Sequence, residues 1–233
     1  MAEHLKILHE DNHLIAAYKP GGILTQGDET GDMPLSDYVK EYIKLRYKKP
    51  GDVFLGVIHR IDRPVSGVVV FARTSKALTR MNKLFQERAV KKTYWAITHQ
   101  RPNPLSGHLR HFLLKDRKIN KTKAYERTGK RTAAAKLSEL DYELKAEIDG
   151  HHLLKVTPHT GRPHQIRVQL AEIGCPIKGD VKYGFKHGNP DGSIHLHCRS
   201  LEFIHPVKKE PVIIKADPPR EEFWNFFKEL YDD

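Results

Sequence analysis

The sequence predicts a mixed α+β domain, and three observations carry that prediction. Short runs of β-branched and aromatic residues, bounded by turn residues, recur along the whole chain. Four other stretches place their apolar residues at helical spacing. Neither an internal repeat nor a linker separates the two kinds of segment, so one domain is expected.

Taken in order, LKILHEDNHLIAAYKPGG reads as two strands around an Asp11-Asn12 turn, closed by Pro20, Gly21 and Gly22. Leu35, Tyr38, Val39, Tyr42 and Ile43 then predict a helix over 34–47, with Asp32 as its cap and Pro50-Gly51 as its stop. A short apolar segment, 53–58, leads into the charged stretch HRIDRPVSG (59–67). The apolar run Val68, Val69, Val70, Phe71 follows at once, as a buried central strand would.

A second helix is predicted over 75–88, capped by Thr74, with Ala77, Leu78, Met81, Leu84 and Phe85 on one face. KKTYWAIT from Lys91 reads as a strand. Between 115 and 132, eight lysines and arginines face only Asp116 and Glu126, which predicts a long exposed loop or hairpin tip. Its two readings are a solvated loop and a basic arm for nucleic-acid backbone. Strands are expected over 136–144 and 153–158.

TGRPHQIRVQLAEIG predicts a helix entered at Thr160-Gly161, with Pro163 in the first turn and Gly174 as the stop. Ile166, Leu170 and Ile173 would face inward and Arg167 would project off that stripe. HLHCRSLEFIH and PVIIKA read as two more strands. A last helix over 221–231 would bury Phe223, Phe226, Phe227 and Leu230.

Composition narrows the function. The chain has 233 residues, 39% hydrophobic and 30% charged, with a net charge of +11. A surplus of that sign and size attracts polyanions and favours a nucleic-acid partner. No apolar stretch approaches the roughly 18 residues of a membrane span. MAEHLKILHEDN lacks the apolar core of a signal peptide, so export is not expected. The two cysteines, Cys175 and Cys198, suit reduced thiols in the cytoplasm.

Phosphate-cradling glycine motifs and a G-x-S-x-G elbow are both missing. His195, His197 and Cys198 are close in sequence, but in a strand the two histidines share one face and the cysteine points to the other. No metal centre is expected there. What stands out is Asp62 beside Arg60, Tyr94 within KKTYWA, and Arg167 within GRPHQIR. An aspartate acts as a nucleophile when an arginine keeps it ionised and oriented, and a tyrosine can move a proton or stack on a base. From composition alone, a solvated, salt-bridged turn is the favoured explanation of Arg60, Asp62 and Arg63, because structural ion pairs are common, and spacing alone does not bring the three segments together.

HRIDRPVSG is similar to the H-R-L-D-x-x-T-S-G signature of RluA-type pseudouridine synthases. The resemblance continues through FARTSKALTRMNKLFQERAVKKTYWA, TGRPHQIRVQLAEIGCPIKGDVKYG and HLHCRSLEFIHP, in the family's order and over nearly the whole chain. It implies a pseudouridine synthase-like fold: a mixed, mainly antiparallel central sheet with flanking helices and a central cleft. It also implies isomerisation of uridine in structured RNA, ribosomal or transfer, without metal or organic cofactor.

The resemblance makes Asp62 the catalytic aspartate and Tyr94 the active-site tyrosine, with Arg167 as the arginine that pairs with the aspartate. Arg60 would fill the gap left by a flipped-out uridine, with His59 beside it as a second substrate-binding candidate. Leu196 would pack against the uracil. Lys118, Lys121 and Lys123 of the basic stretch are candidates for RNA backbone. Ile61 stands where leucine is usual, Val65 where threonine is usual, and Ala133, Ala134 and Ala135 where small polar residues are common.

Residues 1–233 are expected to form the catalytic domain alone, without the RNA-binding module that precedes it in many relatives, and to act as a cytoplasmic monomer. The alternative is a non-catalytic RNA-binding or ribosome-assembly protein on the same fold.

Overall fold

The computed structural model describes residues 5–228 and forms two compact units. The chain up to Lys91, with Cys198–Pro218, makes the first; Lys92–His197, with the stretch from Pro219, makes the second.

In the first unit, β1 (Ile7–Glu10) and β2 (Leu14–Lys19) form the expected antiparallel pair. The Asp11 carboxylate closes their turn by accepting from the amides of His13 and Leu14. Next come α1 (Leu35–Arg46), β3 (Gly56–Val57), β4 (Ser66–Ala72) and α2 (Ser75–Gln86). Strand β10 (Leu196–Ile204) enters this unit at Cys198 and pairs with β11 (Pro211–Lys215). β4 lies between β2 and β10, and every residue of it is buried, as its unbroken apolar run requires.

One local expectation changes here. Asp32 does not cap α1; its carboxylate pairs with the Arg63 guanidinium at 2.8 Å. Pro34 takes the cap position, and the amides of Leu35 and Ser36 donate instead to the carbonyls of Leu24 and Thr25. Only Gly56–Val57 of the apolar segment 53–58 is a strand. α2 is capped as expected, the Thr74 hydroxyl accepting from the Ala77 amide.

The second unit is an antiparallel sheet in the order β5-β9-β8-β6-β7, from β5 (Lys91–Thr98), β6 (Ser106–Asp116), β7 (Lys121–Tyr125), β8 (Lys136–Ile148) and β9 (His151–Pro158). The basic stretch is therefore a hairpin, with β7 as its second strand at the sheet edge, and only 117–120 form its tip. β8 and β9 run longer than the sequence suggested because Asp149 and Gly150, both at positive φ, turn the chain sharply between them.

α3 (Gln165–Glu172) starts after Pro163 instead of including it in the first turn. His164, at a φ of 55°, breaks the helical path. α4 (Glu222–Lys228) buries Trp224 and Phe227 against Trp95, Ile97 and Leu153, while Phe223 and Phe226 are only partly covered. Leu230 and Tyr231 of the predicted last helix lie outside the described residues. With four α-helices among the described residues and mainly antiparallel strands, the α+β class is as expected.

Candidate active site

Asp62 sits half-buried in the loop between β3 and β4, and the residues around it are held by buried polar contacts. The amide of Val65 donates to the carbonyl of Asp62 at 3.0 Å, closing the loop as a turn. The Thr25 hydroxyl bonds both the carbonyl and the amide of Ile61. Val65 is 2% exposed, so an aliphatic side chain fits where a hydroxyl would need a partner. The turn is made by backbone, and threonine is not needed to close it.

The strongest of these anchors is Lys19, which sequence reading passed over. Its side chain is fully buried, and Nζ donates to the carbonyls of Pro20, Ile23 and Arg63 at 3.0, 2.7 and 3.0 Å. A buried ammonium is costly unless all its protons are used, and here three carbonyls use them. Burial pulls the Lys19 ammonium down to about 7, the charge of Asp62 opposing that shift and Arg63 adding to it. Lys19 therefore ties the 20–23 turn to the residue next to Asp62 and senses the aspartate's charge.

Lys19 is also the cross-strand partner of Gly67, the last residue of the motif. Gly67 has a φ of +123°, and a Cβ there would stand 2.3 Å from the carbonyl oxygen of Cys198 and 2.6 Å from its nitrogen. Strands β2, β4 and β10 thus converge at the foot of the Asp62 loop, and only glycine permits so close an approach. Arg60 is exposed on the same loop. His59 turns back into the unit: its Nε2 accepts from the Val70 amide at 3.0 Å, and its ring stacks on Phe85. The Arg63 side chain reaches Asp32 and the Gly22 carbonyl.

In the second unit, Tyr94 lies half-buried on β5 opposite Val156, and Leu196 is buried at the start of β10. Arg167 does not project off an apolar stripe. Every residue from Gln165 to Leu170 is buried, and Arg167 is 5% exposed. It forms a forked pair with Asp180, Nε to Oδ2 at 2.7 Å and Nη2 to Oδ1 at 2.8 Å. Such a pair fixes both the charge and the plane of the guanidinium. The Tyr183 ring lies 5.0 Å from that guanidinium, and its hydroxyl accepts from the Thr122 amide and meets His164 Nδ1 at 2.7 Å.

The start of α3 is held by the Gln165 side chain, which accepts from the Thr160 hydroxyl and the Arg162 amide and donates to the Glu139 carbonyl. Asp180 and Tyr183 were not singled out from sequence, although a buried arginine implies a carboxylate near it.

Lys118 and Lys123 are exposed on the β6–β7 hairpin. Lys121 is partly covered, its Nζ 5.5 Å from the centre of the Tyr183 ring. His195, just before β10, and His197, on it, both pack on Trp224, and His195 also meets Glu221 at 3.2 Å.

Residues 13–172 match the family model for RNA pseudouridylate synthase. The chain is 32% identical over 232 residues to the ribosomal large subunit pseudouridine synthase C of Buchnera aphidicola subsp. Acyrthosiphon pisum (strain APS), covering 97% of this chain and 70% of that protein. It is 30% identical to the tRNA pseudouridine synthase C of Haemophilus influenzae, covering 91% of this chain and 92% of that one. The solved structure of human RNA pseudouridylate synthase domain containing 4 superposes with a TM-score of 0.76 at 26% identity, over 96% of this chain and 92% of that one.

Proposed function

The chain belongs to the RNA pseudouridylate synthase family, and on that premise we propose which side chains isomerise uridine to pseudouridine and in which RNA. The reaction breaks the bond between N1 and C1′, turns the uracil, and rejoins it through C5. A stacked uridine is out of reach, so it must first be extruded from the RNA. Arg60, exposed on the Asp62 loop, takes the place of the extruded base and offsets part of that cost by stacking. His59 serves the substrate through Arg60, with its own ring engaged by Val70 and Phe85.

Asp62 is the carboxylate that acts on the uridine. The observation that carries this assignment is its mount: Lys19, Thr25 and the Val65 amide hold its neighbours and its own carbonyl in fixed positions. A reacting group gains most from such fixed placement. Arg167 is the arginine that the family resemblance pairs with the aspartate, and Asp180 keeps its guanidinium in one plane. Tyr94 takes part in removing the proton that C5 still bears after rejoining, and Leu196 packs on the uracil.

The RNA is ribosomal or transfer RNA, the two classes named for the relatives. Residues 1–233 act as a single catalytic domain, with Asp62 in the first compact unit and Tyr94 and Arg167 in the second. The same reading makes the protein cytoplasmic, where those RNAs are modified, and monomeric, since a net charge of +11 opposes self-association. A non-catalytic binder has no use for a carboxylate mounted this way. Mapping pseudouridine in total RNA with and without this gene tests the proposal: one or more sites in ribosomal or transfer RNA should disappear, and an unchanged map refutes it.

Lys118, Lys121 and Lys123 follow the RNA backbone. Lys121 and Lys123 line a groove of about 540 Å³ beside β7 and α3 that Tyr125 and Tyr183 also line. Replacing all three with alanine should weaken RNA binding and make the slope of log K against log salt shallower by about two to three. A slope equal to that of the unaltered protein removes the hairpin from the RNA interface.

A further inference from the structure

Among the described residues, one cluster of ligand-type side chains lies outside everything assigned above. His108 on β6 and Asp141 on β8 are direct cross-strand partners, and His159 follows the end of β9. His108 Nδ1 meets one carboxylate oxygen of Asp141 at 2.7 Å, and His159 Nε2 meets the other at 2.6 Å. The two imidazoles and the carboxylate each present a ligand atom, all within 4.8 Å of one another. Their rings stand 5.8 Å apart, close to the span across one shared ion. Glu139, two residues along β8, brings a second carboxylate to 3.9 Å from His108 Nε2.

We propose that His108, Asp141 and His159 form a surface site for a borderline divalent ion of the zinc class. Three features carry this. Two imidazole nitrogens and one carboxylate oxygen suit zinc, cobalt(II) or nickel and do not suit magnesium or calcium, which take oxygen donors. Two of the three ligands are fixed on paired strands of a sheet, so little ordering is left for the ion to impose. All three side chains are 40–50% exposed, which leaves coordination positions open to water and a path for the ion.

The ion would take the place of the two hydrogen bonds that now join the imidazoles to the carboxylate. Its effect would be structural. His159 immediately precedes Thr160, and the amide of His159 and the side chain of Gln165 both donate to the Glu139 carbonyl. A bound ion would fasten β6 and β8 to the turn that opens α3, the helix carrying Arg167.

The test uses the full chain without a histidine tag, and a cobalt(II) titration followed in the visible spectrum, then competition with zinc. The unaltered protein should take up about one equivalent with the absorption of a low-symmetry N/O site, and zinc should displace it. His108→Ala and His159→Ala should each weaken zinc binding by roughly tenfold or more. Zinc should raise the thermal unfolding midpoint of the unaltered protein, because it binds the folded state, and leave both variants where they were. Both side chains are substantially exposed, so the variants are expected to fold. Zinc uptake that is the same in all three proteins assigns it to other histidines and overturns the proposal, and so does the lack of uptake by the unaltered chain.

Discussion

Replacing Asp62 with asparagine should lower turnover to below about one thousandth of that of the unaltered protein while RNA binding persists. Asparagine matches aspartate in shape but neither attacks a carbon nor takes up a proton, so the chemistry goes while the surface stays. The backbone of the loop is held by other groups. Thr25 grips the backbone of Ile61, Lys19 grips the carbonyl of Arg63, and the Val65 amide closes on the carbonyl of Asp62. One secondary effect is expected. The charge of Asp62 opposes the burial that pulls Lys19 down to about 7, so its loss favours the neutral amine. A neutral amine has two N–H donors for three carbonyls, and a drop of a few degrees in the unfolding midpoint should accompany the loss of turnover. Appreciable turnover by Asp62→Asn, measured by release or mapping of pseudouridine, would falsify the assignment.

Much of this was legible in the sequence, and the reasons differ by element. β4 could be read because a fully buried strand is apolar at every position, whatever surrounds it. α2 could be read from Thr74 and its amphipathic face, since capping and periodicity are local. The end of the basic stretch was harder. Lys121, Lys123 and Tyr125 look like loop residues, and they become an edge strand only because β6 offers them a partner.

The same limit applies to the site. Asp62, Tyr94 and Arg167 stood out because their segments resemble known motifs, but what fixes them is tertiary. Lys19 looks like an ordinary surface lysine in YKPGG until three carbonyls close around it. Asp180 looks like one more acidic residue in a polar loop until Arg167 meets it. Val65 is the converse case: the resemblance marked it as a departure, and its burial makes an aliphatic side chain suitable there.

The largest structural effect should come from Gly67→Ala. Two costs add at this position. The backbone φ of +123° is one that side-chain-bearing residues rarely adopt, a strain of about 1–3 kcal/mol. The new methyl would also stand 2.3 Å from the Cys198 carbonyl oxygen, an approach that real Cβ atoms essentially never make. Because the obstruction is backbone, β10 must move away from β4, and overpacking of that kind costs a further 1–3 kcal/mol or roughly that. A sum near 3 kcal/mol should lower the thermal midpoint by about 6–12 °C in a chain of this size.

Gly174→Ala separates the two costs. Gly174 has a φ of +75° with open space around its would-be Cβ, so its substitution should carry the strain alone and shift the midpoint less. Cys198→Ala added to Gly67→Ala should restore nothing, since the clash is with main-chain atoms that every residue has. Rescue by that second change, or equal midpoints for the two glycine variants, would show that the β4–β10 contact is not what Gly67 protects. Turnover by the fraction of Gly67→Ala that remains folded should also fall, because Lys19 pairs with Gly67 and holds the carbonyl beside Asp62. A displaced β4 therefore moves the carboxylate with it.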